Sequence, residues 1–212
     1  MNKEQFMRND QYNFIKRQVQ QLVSGHGMVN DEQVIGALES LSIERVSDLF
    51  TDITDEQKEM LNKIVEIVDK EEAEQFLLNL ESHIIPFNKP SEQKLKKLFP
   101  KAKKLKLPTA GLDYTKMTFL SFDDIGTKKR YIIAPTQKGM TGLSGTYEGT
   151  NAKQICTICN RLTDVCMFMT KTKGEGIGMY TKKGNYICRD AADCNHHIVT
   201  LDKLYGFVEN VR

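Results

Sequence analysis

Apolar residues in the first part of the chain recur three and four positions apart, the period of an amphipathic helix. Behind Asp10, which can cap, they fall at Tyr12, Phe14, Ile15, Val19, Leu22 and Val23, and Ser24-Gly25 reads as the stop. Asn30 opens a second segment, with Gln33 three residues on and Val34, Leu38 and Leu41 at helical spacing. Thr54-Asp55-Glu56-Gln57 is a capping-box pattern ahead of Met60, Leu61, Ile64, Val65 and Val68. From Glu71 a fourth segment carries Ala73, Phe76, Leu77, Leu80 and Ile84, and Pro86 ends it. Four such helices with short connections predict an antiparallel bundle over residues 1–88.

The pattern then changes. IIPFNKPS breaks the helical period, and Ser91 caps a short helix, SEQKLKKLF. Beyond Thr109 the runs KMTFLSF, KRYIIAP and LSGTYEG are β-branched and aromatic, separated by turn residues, which predicts an antiparallel meander. The glycines of GTYEGT and GEGIG read as turns rather than phosphate cradles, because no G-x-x-x-x-G-K-[ST] or dinucleotide fingerprint is present. The expected fold class is α+β in two domains: a helical bundle at 1–88 and a sheet lobe at 89–212.

Charge sharpens that division. The net charge is +2, yet residues 1–88 carry 17 acidic and 8 basic side chains, a balance of −9. Residues 89–212 carry 11 acidic and 22 basic, a balance of +11. Such asymmetry fits an anionic partner for the second half, and equally a chain whose halves attract one another or solvate their faces. Between Lys94 and Lys106 stand seven lysines and no acid, interleaved with Leu95, Leu98, Phe99 and Leu105. That run reads first as a solvated face and second as a nucleic-acid contact. The N-terminus lacks the layout of a signal peptide, and no apolar run approaches the roughly 20 residues that span a bilayer. A cytoplasmic protein with no membrane partner is expected.

Five cysteines are present, and four are spaced as metal ligands. Cys156-Thr-Ile-Cys159 is followed, after 28 intervening residues, by Cys188-Arg-Asp-Ala-Ala-Asp-Cys194. Thiolates at C-x2-C spacing wrap one edge of a tetrahedral zinc, and a second pair after a hairpin-sized insert completes it. One structural zinc is expected. Four protein ligands leave no open position for a catalytic water, and no nucleophile–base pattern accompanies the site, so an enzyme or a small-molecule substrate is not expected. Cys166, in the strand-like DVCMFM, reads as a small hydrophobe, and His196 and His197 as surface residues just past the site. A knuckle, a hairpin and a ligand pair leading into a helix is the layout of a treble clef, expected at about residues 150–212.

In the last helix, Leu201, Leu204, Tyr205, Val208 and Val211 share a face, and Phe207 lies off its centre at 100° per residue. That position makes Phe207 either an exposed interface anchor or a residue packed on the neighbouring lobe. Thr181–Tyr186 forms a basic turn with one aromatic, a contact patch or a soluble hairpin tip.

The knuckle CTICNRLTDVCMFM, the segment YTKKGNYICRDAADCN and the linker PFNKPSEQKLKKLFPKAKKLKLP resemble the FusB-type fusidic-acid-resistance proteins, which bind elongation factor G. The resemblance implies a non-enzymatic monomer whose zinc-binding C-terminal domain grips the factor and promotes its release from the ribosome. The ribosome would be engaged only through the factor. It carries the family's zinc ligands onto Cys156, Cys159, Cys188 and Cys194, and its factor-contacting positions onto Lys183, Tyr186 and Phe207. A position usually aromatic in the family is Ile155 here. The alternative reading from residues alone is a zinc-dependent RNA-binding protein that uses Lys94–Lys106.

Overall fold

A computed structural model describes residues 5–102, 104–108, 111–173 and 179–212. Lys103 of the basic run, Thr109, and the GEGIG segment read as a glycine turn lie outside the described residues. The chain divides into two compact units, Met1–Ile85 and Pro86–Arg212.

The first unit is helical: α1 (Asn9–Met28), α2 (Glu32–Ser47), α3 (Asp55–Asn62), a 3-10 turn at Lys63–Glu66, and α4 (Lys70–Glu81). Its core gathers Ile15, Val19 and Leu22 of α1, Val46, Leu61, Ile64, Ile67 and Leu80. The capping box at Thr54 and Gln57 forms as the sequence predicts. Other boundaries move. Asp10 does not cap α1 but lies inside its first turn, buried against the Arg8 guanidinium at 2.9 Å. Asp31, not Asn30, caps α2 by accepting from the Gln33 amide. Gly25 does not stop α1. It lies within the helix where α2 comes close, and a Cβ there would stand 2.9 Å from Leu38 Cδ1. The third helical pattern is cut short at the 3-10 turn, so Ile67 enters the core while Val68 is exposed. Val34 and Leu41, expected on the buried stripe of α2, are also exposed, and Val46 takes the core position.

The second unit opens with α5 (Glu92–Leu98), capped by Ser91 accepting from the Lys94 amide. A five-stranded antiparallel sheet follows in the order β1-β2-β3-β6-β7: β1 (Leu120–Asp124), β2 (Lys129–Thr136), β3 (Gly139–Gly149), β6 (Val165–Lys173) and β7 (Tyr180–Cys188). A small hairpin, β4 (Gln154–Ile155) and β5 (Leu162–Thr163), is inserted between β3 and β6. Two helices close the chain, α6 (Ala191–His197) and α7 (Asp202–Val211).

The pleat gives the sheet two different coverings. On one face, Leu120, Tyr131 and Ile133 pack under Leu95 and Phe99, with Phe99 edge-on to Tyr131 at 5.0 Å. Gly142 lies on that face because a Cβ there would stand 2.9 Å from Leu98 and Phe99. On the other face, Ile132, Leu143, Cys166 and Phe168 join the cysteine knuckle, Leu204, Phe207 and Val208 in a single core.

Candidate metal centre and the surface it builds

The first ligand pair sits on the turn of the β4–β5 hairpin. Cys156 N–H donates to the Arg161 carbonyl and Asn160 N–H to the Cys156 carbonyl, both at 2.9 Å. The turn closes through Asn160 at φ +58°, a left-handed conformation that Asn tolerates better than most residues. Cys188 ends β7, and Cys194 lies in α6, whose Asp190 cap accepts from the Ala192 amide. Three separate elements thus deliver four sulfurs to one point.

All four ligand atoms lie within 4.8 Å of one another, and all four cysteines are buried. Cys159 and Cys188 sulfurs are 3.5 Å apart, and those of Cys156 and Cys194 3.8 Å apart. Sulfurs about 2.3 Å from a tetrahedral zinc are about 3.8 Å from each other, so the spacing fits that ion. The electrostatics agree. Hydrogen bonds from the Cys159, Cys188 and Cys194 thiols hold the Cys156 thiol well below its ordinary range. The same sharing pushes Cys188 and Cys194 up. Cysteines bind a metal as thiolates, and four sulfurs at this spacing can take a divalent cation in place of the protons they shed. The Cys188 amide also donates to Cys156 Sγ at 3.3 Å, orienting a ligand from outside the first sphere.

Two buried polar residues that no sequence motif singled out anchor this centre. Arg130, 5% exposed, makes a bidentate pair with Asp123 at 2.7 and 2.9 Å. Its guanidinium also donates to the Cys188 carbonyl at 3.0 Å and the Arg189 carbonyl at 2.9 Å, and lies 4.9 Å from the centre of the Tyr147 ring. It thereby ties the β1–β2 hairpin to the backbone of a ligand. Asn195, directly after Cys194, accepts from the Thr118 and Phe119 amides and donates to the Phe119 and Ala191 carbonyls. A polar residue pointing inward from the helix that carries a ligand is the signal that could have found it. Cys166 stays outside the tetrad, buried beside Arg130, and burial pushes its thiol up. His196 is exposed, and His197 Nδ1 lies 2.7 Å from the Asp193 carbonyl. Neither joins the cluster.

The expected contact residues do not share one face. Phe207 is 0% exposed and packs 6.0 Å from Phe168, so the reading of an exposed anchor is corrected. The buried stripe of α7 is Leu204, Phe207, Val208 and Val211, the i, i+3, i+4, i+7 set, whereas Tyr205 is only half-buried. Counting Tyr205 in the stripe rotates its centre away from Phe207. Lys183 pairs with Thr170, whose hydroxyl donates to the Val211 carbonyl, so Lys183 belongs to the face covered by α7. Tyr186, three residues on, pairs with Met167 and belongs to the opposite face. What does lie open on the knuckle is Ile155, 60% exposed, with its cross-strand partner Leu162, 67% exposed. Tyr186 is near them: its carbonyl accepts from the Thr157 amide at 2.9 Å, and its side chain is 37% exposed. Leu162 has no signal in the sequence, because a single leucine in a turn-rich stretch carries no periodicity.

A helical unit followed by an antiparallel sheet with a four-cysteine treble clef defines a two-domain zinc-finger protein holding one structural zinc. Residues 6–88 match the family model for the N-terminal domain of elongation factor G-binding proteins, and residues 98–206 match the FBP C-terminal treble-clef zinc finger. The chain belongs to this family of FusB type. The solved structure of the fusidic acid resistance protein FusC is similar over 99% of both chains, with a TM-score of 0.85 and 28% identity. No curated protein matches the chain. Among the described residues, no helix is long and apolar enough to cross a membrane.

Proposed function

We propose that this chain binds elongation factor G through its zinc-binding C-terminal domain and promotes release of the factor from the ribosome, protecting translation from fusidic acid. The protein acts in the cytoplasm as a monomer, one chain per factor, by mass action rather than catalysis. It reaches the ribosome through the factor. The observation that carries the reading is the pair Ile155 and Leu162, held open on a zinc-fixed hairpin beside Tyr186 in a domain of a factor-binding family. Protein interfaces concentrate their affinity in apolar and aromatic anchors on rigid supports. Lys183 contributes from the α7 side of the same edge strand, and Phe207 contributes from below by holding α7 against β6.

Calorimetric titration of elongation factor G with the protein tests this. The Ile155→Ala, Leu162→Ala double variant and Tyr186→Ala should each bind about thirtyfold more weakly, the equivalent of about 2 kcal/mol, with zinc content and melting unchanged. Factor trapped on ribosomes by fusidic acid should move to the free fraction in a sedimentation assay when the wild-type protein is added. Wild-type protein that neither binds the factor nor shifts that fraction would sink the proposal.

A further inference from the structure

The basic run that begins in α5 is a strap with two unlike sides. Leu95, Phe99, Leu98 and Leu105 turn inward and pack on the sheet face made by Leu120, Tyr131 and Ile133. Lys94, Lys96, Lys97, Lys101, Lys104 and Lys106 are exposed, and none has an ion-pair partner among the described residues. Beyond α5 the strap forms one wall of an open cleft of about 810 Å³, lined by Lys101, Lys104 and Lys106 and faced by Lys129 from β2. Asp123 and Asp124 also line this cleft: the Asp123 charge is balanced by Arg130, and Asp124, held in its own turn by Thr127 and the Gly126 amide, sets one negative charge against the four lysines. The strap itself displays no large exposed hydrophobic residue; Ile125, 86% exposed, stands across the cleft in the turn between β1 and β2.

We infer that this lysine strap is a docking surface for the phosphate backbone of RNA, separate from the apolar knuckle proposed to hold the translation factor. Two observations choose RNA over an acidic protein. Protein interfaces are depleted in lysine and enriched in aromatic and apolar anchors at their centres, and here every such anchor of the strap is spent on the sheet. A row of unpaired ammonium groups around a cleft is instead what phosphate binding uses, its affinity coming from released counterions and not from buried apolar area. The zinc knuckle packs against the opposite face of the sheet, and Tyr186, although on the strap's face, stands on β7 at the far edge from the β1 and β2 residues under the strap, so RNA there leaves Ile155, Leu162 and Tyr186 uncovered.

Fluorescence anisotropy with a labelled RNA hairpin, across a salt series, tests the inference on the full chain. Wild-type protein should bind at low salt, with log affinity falling linearly in log salt. The Lys97→Gln, Lys101→Gln, Lys104→Gln variant should bind at least about tenfold more weakly, and its slope should shrink by about 0.7–0.9 for each phosphate it no longer neutralises. It should keep its zinc, its melting temperature and its affinity for elongation factor G. A control triple, Lys16→Gln, Lys58→Gln and Lys70→Gln, removes the same charge from exposed positions of the helical unit and should leave RNA affinity unchanged. Absent RNA binding by the wild type, equal losses in the two triples, or a strap variant that loses the factor while keeping RNA would each overturn it.

Discussion

Phe207 shows how much a single side chain depends on what covers it. Its ring lies against Phe168 in the core that also contains the ligand cysteines. Phe207→Ala should therefore lower stability by about 3–5 kcal/mol, the usual cost of emptying a buried aromatic site. Thermal melting checks this. Loss of factor binding in that variant should accompany the loss of stability, whereas Tyr186→Ala should lose binding alone. Arg130 is the second residue with a large expected effect. Arg130→Met would leave the Cys188 and Arg189 carbonyls without their donor, at about 1–3 kcal/mol. Asp123, at 29% side-chain exposure, can recover water, which keeps the loss below that of a fully buried pair. The variant should release zinc to a chelator faster than wild type. Cys166→Ser should leave zinc content unchanged, because its sulfur lies outside the tetrad.

At the scale of elements, the knuckle hairpin is two residues per strand, far too short to be stable alone. The ligands hold it: Cys156 and Cys159 on the hairpin, Cys188 on β7 and Cys194 on α6. Structural zinc supplies folding free energy directly, so Cys188→Ser or Cys194→Ser should unfold the finger, and a strong chelator should do the same to wild type. Thiolate ligation competes with protons. Stability contributed by the metal is present where the thiols can ionise and is lost as pH falls. Acid titration followed by a zinc indicator should show release, with unfolding of the finger at the same pH. Full unfolding without metal release would contradict the role given to the tetrad.

The whole molecule divides its work between its two units. The helical unit has its own core of Ile15, Val19, Leu22, Leu61 and Leu80, and the metal cluster found among the described residues takes no ligand from it. Domains with separate cores can unfold as separate cooperative steps. Chelation should accordingly remove the near-ultraviolet signal of the tyrosines around the finger while much of the helical far-ultraviolet signal survives. A single all-or-none loss of both signals would show the units to be one cooperative body. The charge division between the halves has a structural counterpart in the second, where the lysines of the strap stand outward over a leucine floor.

Short-range chemistry is legible directly in the order of residues. Cysteine spacing named the metal, capping residues placed the starts of α3 and α5, and β-branched and aromatic runs between turn residues located β1, β2 and β3. Each depends on residues a few positions apart. Which face of an element is covered had to wait for the folded chain. Gly25 lies within α1 because α2 approaches there, Phe207 is buried because Phe168 waits beneath it, and Arg130 and Asn195 matter because distant backbone carbonyls and amides need partners. The pleat then separated Lys183 from Tyr186 and brought Leu162 beside Ile155. Spacing along a chain fixes which groups can meet locally. The packing of separate elements fixes which of them water still reaches, and that second fact places the exposed surface of this protein.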